Sequence, residues 1–424
     1  SSGSHHTCAI LDDGSMKCWG ENTNGQLGDG TRSGHATPGT VLLPLGKSAV
    51  STSAGSYHTC AILDDGSLRC WGSNEFGQLG DGTSIERTSP VSIDLGSGRT
   101  ASSVSAGESH TCAVLDDSSV MCWGENSNGQ IGDGTSTNSL SPVSVGLGDG
   151  NTAISMSSGS YHTCAITDDR TVKCWGNNWH GQLGDGSTGN RISPTEIDLP
   201  VNSSAVTLSS GSFHTCVGLN DGSMFCWGYN AYGQLGNGNN SNSLAPSTVG
   251  LIESESATQV SMGMFHSCAL FDSGSVSCWG GNSEGQLGSG DLLDSLIPQS
   301  VALPAGMSAL SISIGQRHSC AILDDATLYC WGYNANGQLG DGTTTDRLLP
   351  TNIDLQHGSS AQIPCSSGTF QPDASQTSCI LADRGYSVPL QASLNQTGCI
   401  KGTYSSLRGQ ESCSIASIGY YVDE

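Results

Sequence analysis

The chain has 424 residues, and its 38 acidic against 14 basic side chains give a formal charge of −24 at pH 7. That balance supplies no basic stripe to displace counterions from phosphates, which argues against a nucleic-acid backbone or an anionic membrane surface as partner and suits a cationic partner or a divalent ion. The 59 glycines follow no every-third-residue spacing, which excludes collagen, and no run of about 20 apolar residues predicts a membrane-spanning helix.

The chain opens at Ser1-Ser2-Gly3-Ser4, already inside a repeating unit, which predicts a processed or trimmed product. The unit then reads His6-Thr7-Cys8-Ala9-Ile10-Leu11-Asp12-Asp13-Gly14-Ser15-Met16-Lys17-Cys18-Trp19-Gly20 and continues to Gly25-Gln26-Leu27-Gly28-Asp29-Gly30. Its anchor histidines, His6, His58, His110, His162, His214, His266 and His318, stand 52 residues apart throughout. Thr7 to Leu11 is short, partly apolar and bounded by turn residues, and reads as a strand. Asp12-Asp13-Gly14 reads as a three-residue turn with glycine left-handed, and Met16 to Trp19 as the returning strand. That register sets Leu11 opposite Ser15 and Cys8 opposite Cys18, which predicts one disulfide inside each unit. The pairs are Cys8–Cys18, Cys60–Cys70, Cys112–Cys122, Cys164–Cys174, Cys216–Cys226, Cys268–Cys278 and Cys320–Cys330. Ser118, Arg170 and Ala326 replace the turn glycine in three units, so the turn type there, or the register, stays open.

Asn22 to Gly30 is a loop of amides and glycines. A periodic proline follows (Pro38 in the first unit), then two further strands are expected, at Val41 to Leu45 and at Ala49 to Ser53. Four short strands per unit, seven units and no helical periodicity predict an all-β, seven-bladed propeller closed into a ring. The periodic frame places 361–365 where Ala49 to Ser53 stand in the second unit. This predicts that the far end of the chain completes the first blade, with the propeller spanning 1–365.

The His-x-Cys-Ala start, the Cys-Trp-Gly and the Gly-Gln-Leu-Gly resemble the regulator-of-chromosome-condensation-like repeats, in their secreted, cysteine-containing form. The resemblance implies a seven-bladed propeller and covers roughly residues 3–365. The family includes a nuclear exchange factor acting with chromatin, secreted inhibitors of β-lactamases and extracellular binding modules. The acidic, cysteine-paired character speaks against the nuclear role.

From Cys365 the period changes. Cys365 and Cys379, then Cys399 and Cys413, recur with a 34-residue step, as do Gly368-Thr369-Phe370 and Gly402-Thr403-Tyr404. The segment 366–424 is expected to form a small disulfide-dependent module. Cys365–Cys379 with Cys399–Cys413 is the preferred of three possible connectivities. The Gly-Thr-Phe, Gly-Thr-Tyr and Gly-Tyr-Tyr elements resemble the cysteine-rich ephrin-receptor-like modules. The sequence stops just after Gly419-Tyr420-Tyr421, so further modules are expected in a longer precursor.

The 18 cysteines all fall into pairs, which predicts an oxidising, extracellular setting, secreted or at a cell surface. No zinc-knuckle, nucleophile-elbow, phosphate-loop or metalloprotease pattern occurs, so no enzyme activity and no catalytic or metal-binding residue is expected. The anchor histidines read as structural, with ligation or catalysis the alternative. The Asp-Asp-Gly and Gly-Asp-Gly turns read as turns, with calcium the alternative; no other cofactor is expected. Information specific to this chain lies where the copies differ. Before each loop glycine stand pairs that include Glu75-Phe76, Trp179-His180 and Ala231-Tyr232. Phe76, Trp179, His180 and Tyr232 are therefore the candidate binding surface, either anchoring a protein or sugar or packing between blades. The residue before each second cysteine (Lys17, Arg69, Met121, Lys173, Phe225, Ser277, Tyr329) is expected to decorate a blade surface. Asn202, Asn239 and Asn395 are possible N-glycosylation acceptors. The expected role is a non-enzymatic extracellular structural or adhesive protein that meets protein partners or copies of itself. A soluble binding protein or enzyme inhibitor, and a glycan-binding module, are the alternatives.

Overall fold

The computed structural model describes residues 1–355 apart from 149, 202 and 252–255, together with six two-residue strands between 369 and 415. Two units are distinct, Ser1–Asp354 and Leu355–Glu424. The first is an all-β propeller of seven antiparallel sheets, six four-stranded and one three-stranded. The second blade shows the plan, with inner strand Ala49–Ala54, then His58–Leu63, Leu68–Gly72 and outer strand Arg87–Ser92, paired in chain order.

The hairpin at the centre of each blade has the expected register. In the first blade Cys8 pairs with Cys18 and Ile10 with Met16, and the Leu11 amide donates to the Ser15 carbonyl at 2.9 Å. The opposed cysteines are bonded, with Cα atoms 4.1 Å apart, and the same bond recurs in every blade. The turn does not change where glycine is lost. Ser118, Arg170 and Ala326 take φ of 63°, 68° and 64°, against 75° at Gly14. A β-carbon in this region costs about 1–2 kcal/mol. Ala326→Gly is therefore expected to stabilise the propeller by roughly 0.5–1 kcal/mol, after the extra chain entropy of glycine. Chemical unfolding at fixed pH measures it; an unchanged or lowered midpoint contradicts it.

Three expectations need correction. The outer strand is His35–Thr40, not Val41 to Leu45. It carries Pro38 on the blade edge, where a missing amide leaves no ladder bond unmade, while Val41 turns inward and is buried. The first blade is three-stranded and lacks a full inner strand, as expected, but the gap is shorter than the frame implies. Ser1 and Ser2 occupy its last two positions, with Ser2 bridged to Thr7 and the Cys8 amide donating to the Ser1 carbonyl at 2.8 Å. Ser1 thus stands at the frame position assigned to Cys365, and residues 361–365 lie outside the described residues. Third, the position before each second cysteine does not decorate a surface. Lys17 and Lys173 are buried, Lys173 donates to the Leu147 carbonyl at 2.7 Å, and Met121, Phe225 and Tyr329 pack against core clusters.

The core lies between blades rather than within them. Cys8, Met16, Cys18 and Leu27 of the first blade pack on Ala49, Ala61, Leu63 and Trp71 of the second, and the pattern repeats around the ring. In the second unit the described strands pair Thr369–Phe370 with Ile380–Leu381, Tyr386–Ser387 with Thr397–Gly398, and Thr403–Tyr404 with Ser414–Ile415. The first and third ladders stand 34 residues apart on both strands. Cys365, Cys379, Cys399, Cys413 and Asn395 lie outside the described residues, as does Asn202.

Candidate binding face

The repeated residues are used in latches from one blade to the next. The Gln26 carbonyl accepts the Trp71 indole N–H at 2.9 Å and the Thr59 hydroxyl at 2.8 Å. Equivalent bonds run round the ring to its seam, where the Gln338 carbonyl accepts Trp19 at 2.9 Å and Thr7 at 2.8 Å. Each anchor histidine then reaches the next blade's hydroxyl: His6 to Thr59, His58 to Thr111, His110 to Thr163, His162 to Thr215, His214 to Ser267, His266 to Ser319 and His318 to Thr7. The hydroxyl proton is already committed to the glutamine carbonyl, so the imidazole Nε2–H donates and Nδ1 is the bare acceptor. Burial holds these histidines neutral, with pKa values lowered to about 4 at His58 and about 3 at the other six.

This arrangement leaves the anchor histidines no open side toward a substrate. The carboxylates of the Gly-Asp-Gly turns are occupied too. Asp81 accepts the Thr83 amide at 3.0 Å, the Asn74 amide group at 3.1 Å and the Arg87 guanidinium at 2.7 Å. Arg191 and Arg347 meet Asp185 and Asp341 in the same way. No group of three or more His, Cys, Asp or Glu side chains able to hold a metal forms among the described residues.

Along the axis, serines and glycines of the inner strands line a channel of about 210 Å³. The non-repeating residues surround it on one face. The residue after each Trp-Gly donates its amide to the residue before the anchor histidine, as from Glu21 to His5, Glu125 to Ser109 and Tyr229 to Phe213. These two positions and the loop pairs therefore sit together. In the fourth to sixth blades they build an arc of rings. The His180 ring lies 4.9 Å from Tyr229 and 5.6 Å from Phe213. Tyr232 lies 4.8 Å from Phe265, Phe265 is stacked 6.4 Å from Phe213, and Tyr161 closes the arc 6.3 Å from Phe213. Trp179, beside His180 in the chain, is 69% exposed.

Of the candidate surface, His180 and Tyr232 therefore meet through Tyr229, and Trp179 stands at their edge. Phe76 is half-buried on the second blade's loop, outside this group of rings. Asn239 is exposed, with its Oδ1 accepting the Ser241 amide at 2.8 Å. Sequence reasoning missed Tyr161, Phe213, Tyr229 and Phe265. The signal was present, because the residue before each anchor histidine varies as strongly as the loop pair does.

The neighbouring sector, from the first to third blades, is acidic. Glu108 accepts the Tyr161 hydroxyl at 2.6 Å. Burial and the Glu108 carboxylate push that phenol up, and Glu125 adds to the effect. Burial also raises Tyr57, helped by Glu21 and Glu108.

A closed ring of latches with its variable residues gathered on one face defines a binding scaffold. The chain belongs to the RCC1-like domain family, whose model matches residues 1–303 and, in an overlapping register, 101–370. It is 31% identical over 392 residues to the ultraviolet-B receptor UVR8 of Arabidopsis thaliana, covering 90% of this chain and 89% of that protein. It is 28% identical over 348 residues to the mitochondrial RCC1 domain-containing protein RUG3 of the same plant, covering 76% of this chain and 78% of the relative. Its fold matches yeast RCC1 (Prp20) in a complex with Kap60, with a TM-score of 0.72 at 20% identity over 82% of this chain and 83% of that one.

Proposed function

We propose that this protein is a non-enzymatic extracellular propeller that binds protein partners, or copies of itself, through the aromatic arc and serves as a rigid structural or adhesive unit. The observation that carries the reading is the gathering of rings from Tyr161 to Phe265, with Trp179 exposed, on a face whose repeated residues are consumed in latches. Aromatic anchors on a rigid support are where binding energy concentrates. The seven described disulfides support an oxidising compartment. Yeast RCC1 seen bound to Kap60 supports protein binding as a use of this architecture. The tail is read as an ephrin-receptor-like module joining the propeller to a neighbour, supported by its ladders recurring at a 34-residue step.

The test is association of the full chain with itself and with surfaces carrying its partners, followed by sedimentation and by surface capture. Trp179→Ala with Tyr232→Ala is expected to weaken association at least about tenfold, with thermal stability nearly unchanged because both rings lie at the surface. A strictly monomeric protein that attaches to no surface overturns the structural reading. A tight 1:1 complex with a secreted enzyme replaces it with an inhibitor.

A further inference from the structure

The charges on this face are not evenly spread. At the variable positions of this face stand five carboxylates, Glu21, Glu75, Glu108, Glu125 and Glu284, with Glu108 lining the channel itself; the guanidiniums nearby are Arg317 and Arg32, and Arg32 is spent on the Thr23 carbonyl at 3.0 Å and on Glu86 at 2.6 Å. Arg317 already meets Glu284 at 3.5 Å. The other four carboxylates lie in the first to third blades, and none has a lysine or arginine salt-bridge partner among the described residues. Glu108 is held in place by the Tyr161 hydroxyl at 2.6 Å. Glu125 is tied to its neighbourhood by its amide on the Ser109 carbonyl at 2.8 Å, and the Tyr57 and Tyr161 rings stand beside them. Glu21, Glu108 and Glu125 are half-buried, and carboxylates in that setting without a cationic side chain beside them complement a cation brought by a partner. Tyrosine faces beside carboxylates attract ammonium and guanidinium groups further. The aromatic arc adjoins this sector, with Tyr161 belonging to both.

Resting on the protein-binding reading above, we infer that the face takes a basic polypeptide segment. A lysine or arginine side chain seats between Glu108, Glu125 and the tyrosines, and a large apolar side chain lies on the arc toward Trp179. The chain's formal charge of −24 steers such a partner from a distance and repels acidic ones.

The test uses the full chain and two soluble peptides, one alternating lysine and tryptophan and the other with glutamate for each lysine. Binding is read by titration calorimetry at low salt and at about 0.15 M, where screening is strong beyond about 8 Å. The lysine peptide is expected to bind and the glutamate peptide not to. Glu108→Gln with Glu125→Gln, which keeps side-chain shape on the surface, is expected to weaken binding about tenfold and flatten its salt dependence. Trp179→Ala is expected to weaken binding while leaving the salt dependence as it was. Thermal unfolding of each variant checks its fold. Equal binding of the two peptides, no binding of the lysine peptide, or an unchanged double variant overturns the inference. If natural partners still require Trp179 while the glutamine variant binds them normally, only this inference fails. If Trp179→Ala changes nothing as well, the protein-binding reading fails with it.

Discussion

Acidification from about pH 6.5 to about pH 4.5 is expected to strip the propeller of most of its stability, through histidine rather than carboxylate protonation. The seven anchor imidazoles are fully buried and neutral, with folded pKa values of about 3 to 4, while in the unfolded chain they titrate near 6.5. A depressed histidine contributes stability that is fully present above the unfolded value. That stability is lost as pH falls through the window down to the folded value. In that window unfolding takes up nearly one proton per histidine, worth about 1.4 kcal/mol per pH unit each. With seven anchors unfolding together the slope approaches roughly 10 kcal/mol per pH unit. The depressed aspartates, such as Asp81 and Asp185, act in the same direction but below about pH 4, so the two contributions separate. Denaturant unfolding at a series of pH values measures the slope. A slope near zero between about pH 6 and 5 refutes the latch assignment.

Gly55→Ala is expected to cost about 3 kcal/mol or more, whereas Gly189→Ala is expected to change stability by less than about 1 kcal/mol. Gly55 has no left-handed φ, so the difficulty is space alone. A β-carbon there falls 2.5 Å from the Gly107 carbonyl oxygen and 2.7 Å from His58 Nδ1. Neither obstacle is a flexible tip. One is the backbone of the next blade, and the other is a ring pinned to Thr111 at 2.8 Å. Accommodating the methyl breaks that latch and leaves two buried polar groups short of a partner, which adds to the steric cost. Around Gly189 nothing lies within 4 Å, and an alanine there only narrows the unfolded ensemble. Guanidinium unfolding of the two variants side by side decides it; similar costs for both contradict the latch geometry.

Much of the propeller is legible in the chain because each unit repeats one solution. The facing of Cys8 and Cys18 follows from counting residues across a turn, and the turn persists at Ala326 because the rest of the blade dictates it. The outer strand was misplaced because Val41 looks like a strand residue by its apolarity. His35–Thr40 forms the edge instead, half in water, where apolar patterning gives no signal. The latch partners were illegible for another reason. His6 meets Thr59 across a blade border 53 residues along the chain, and no local period reports that contact. The binding face was half visible: the exposed Trp179 stood out as a departure from the repeat. Phe213 and Phe265 stood in a position whose variation only gains meaning once the face is assembled.

The confinement of each disulfide to one hairpin has a mechanical consequence. Each bond shortcuts about 10 residues, so seven of them withhold about 70 residues, or roughly 240 Å, of contour length from a chain pulled by its ends. The borders between blades carry hydrogen bonds and apolar contacts, and among the described residues no disulfide crosses them. Under load the ring is therefore expected to open blade from blade at its latches while every hairpin stays closed, so that stretched propellers keep the staples from which each blade can reassemble.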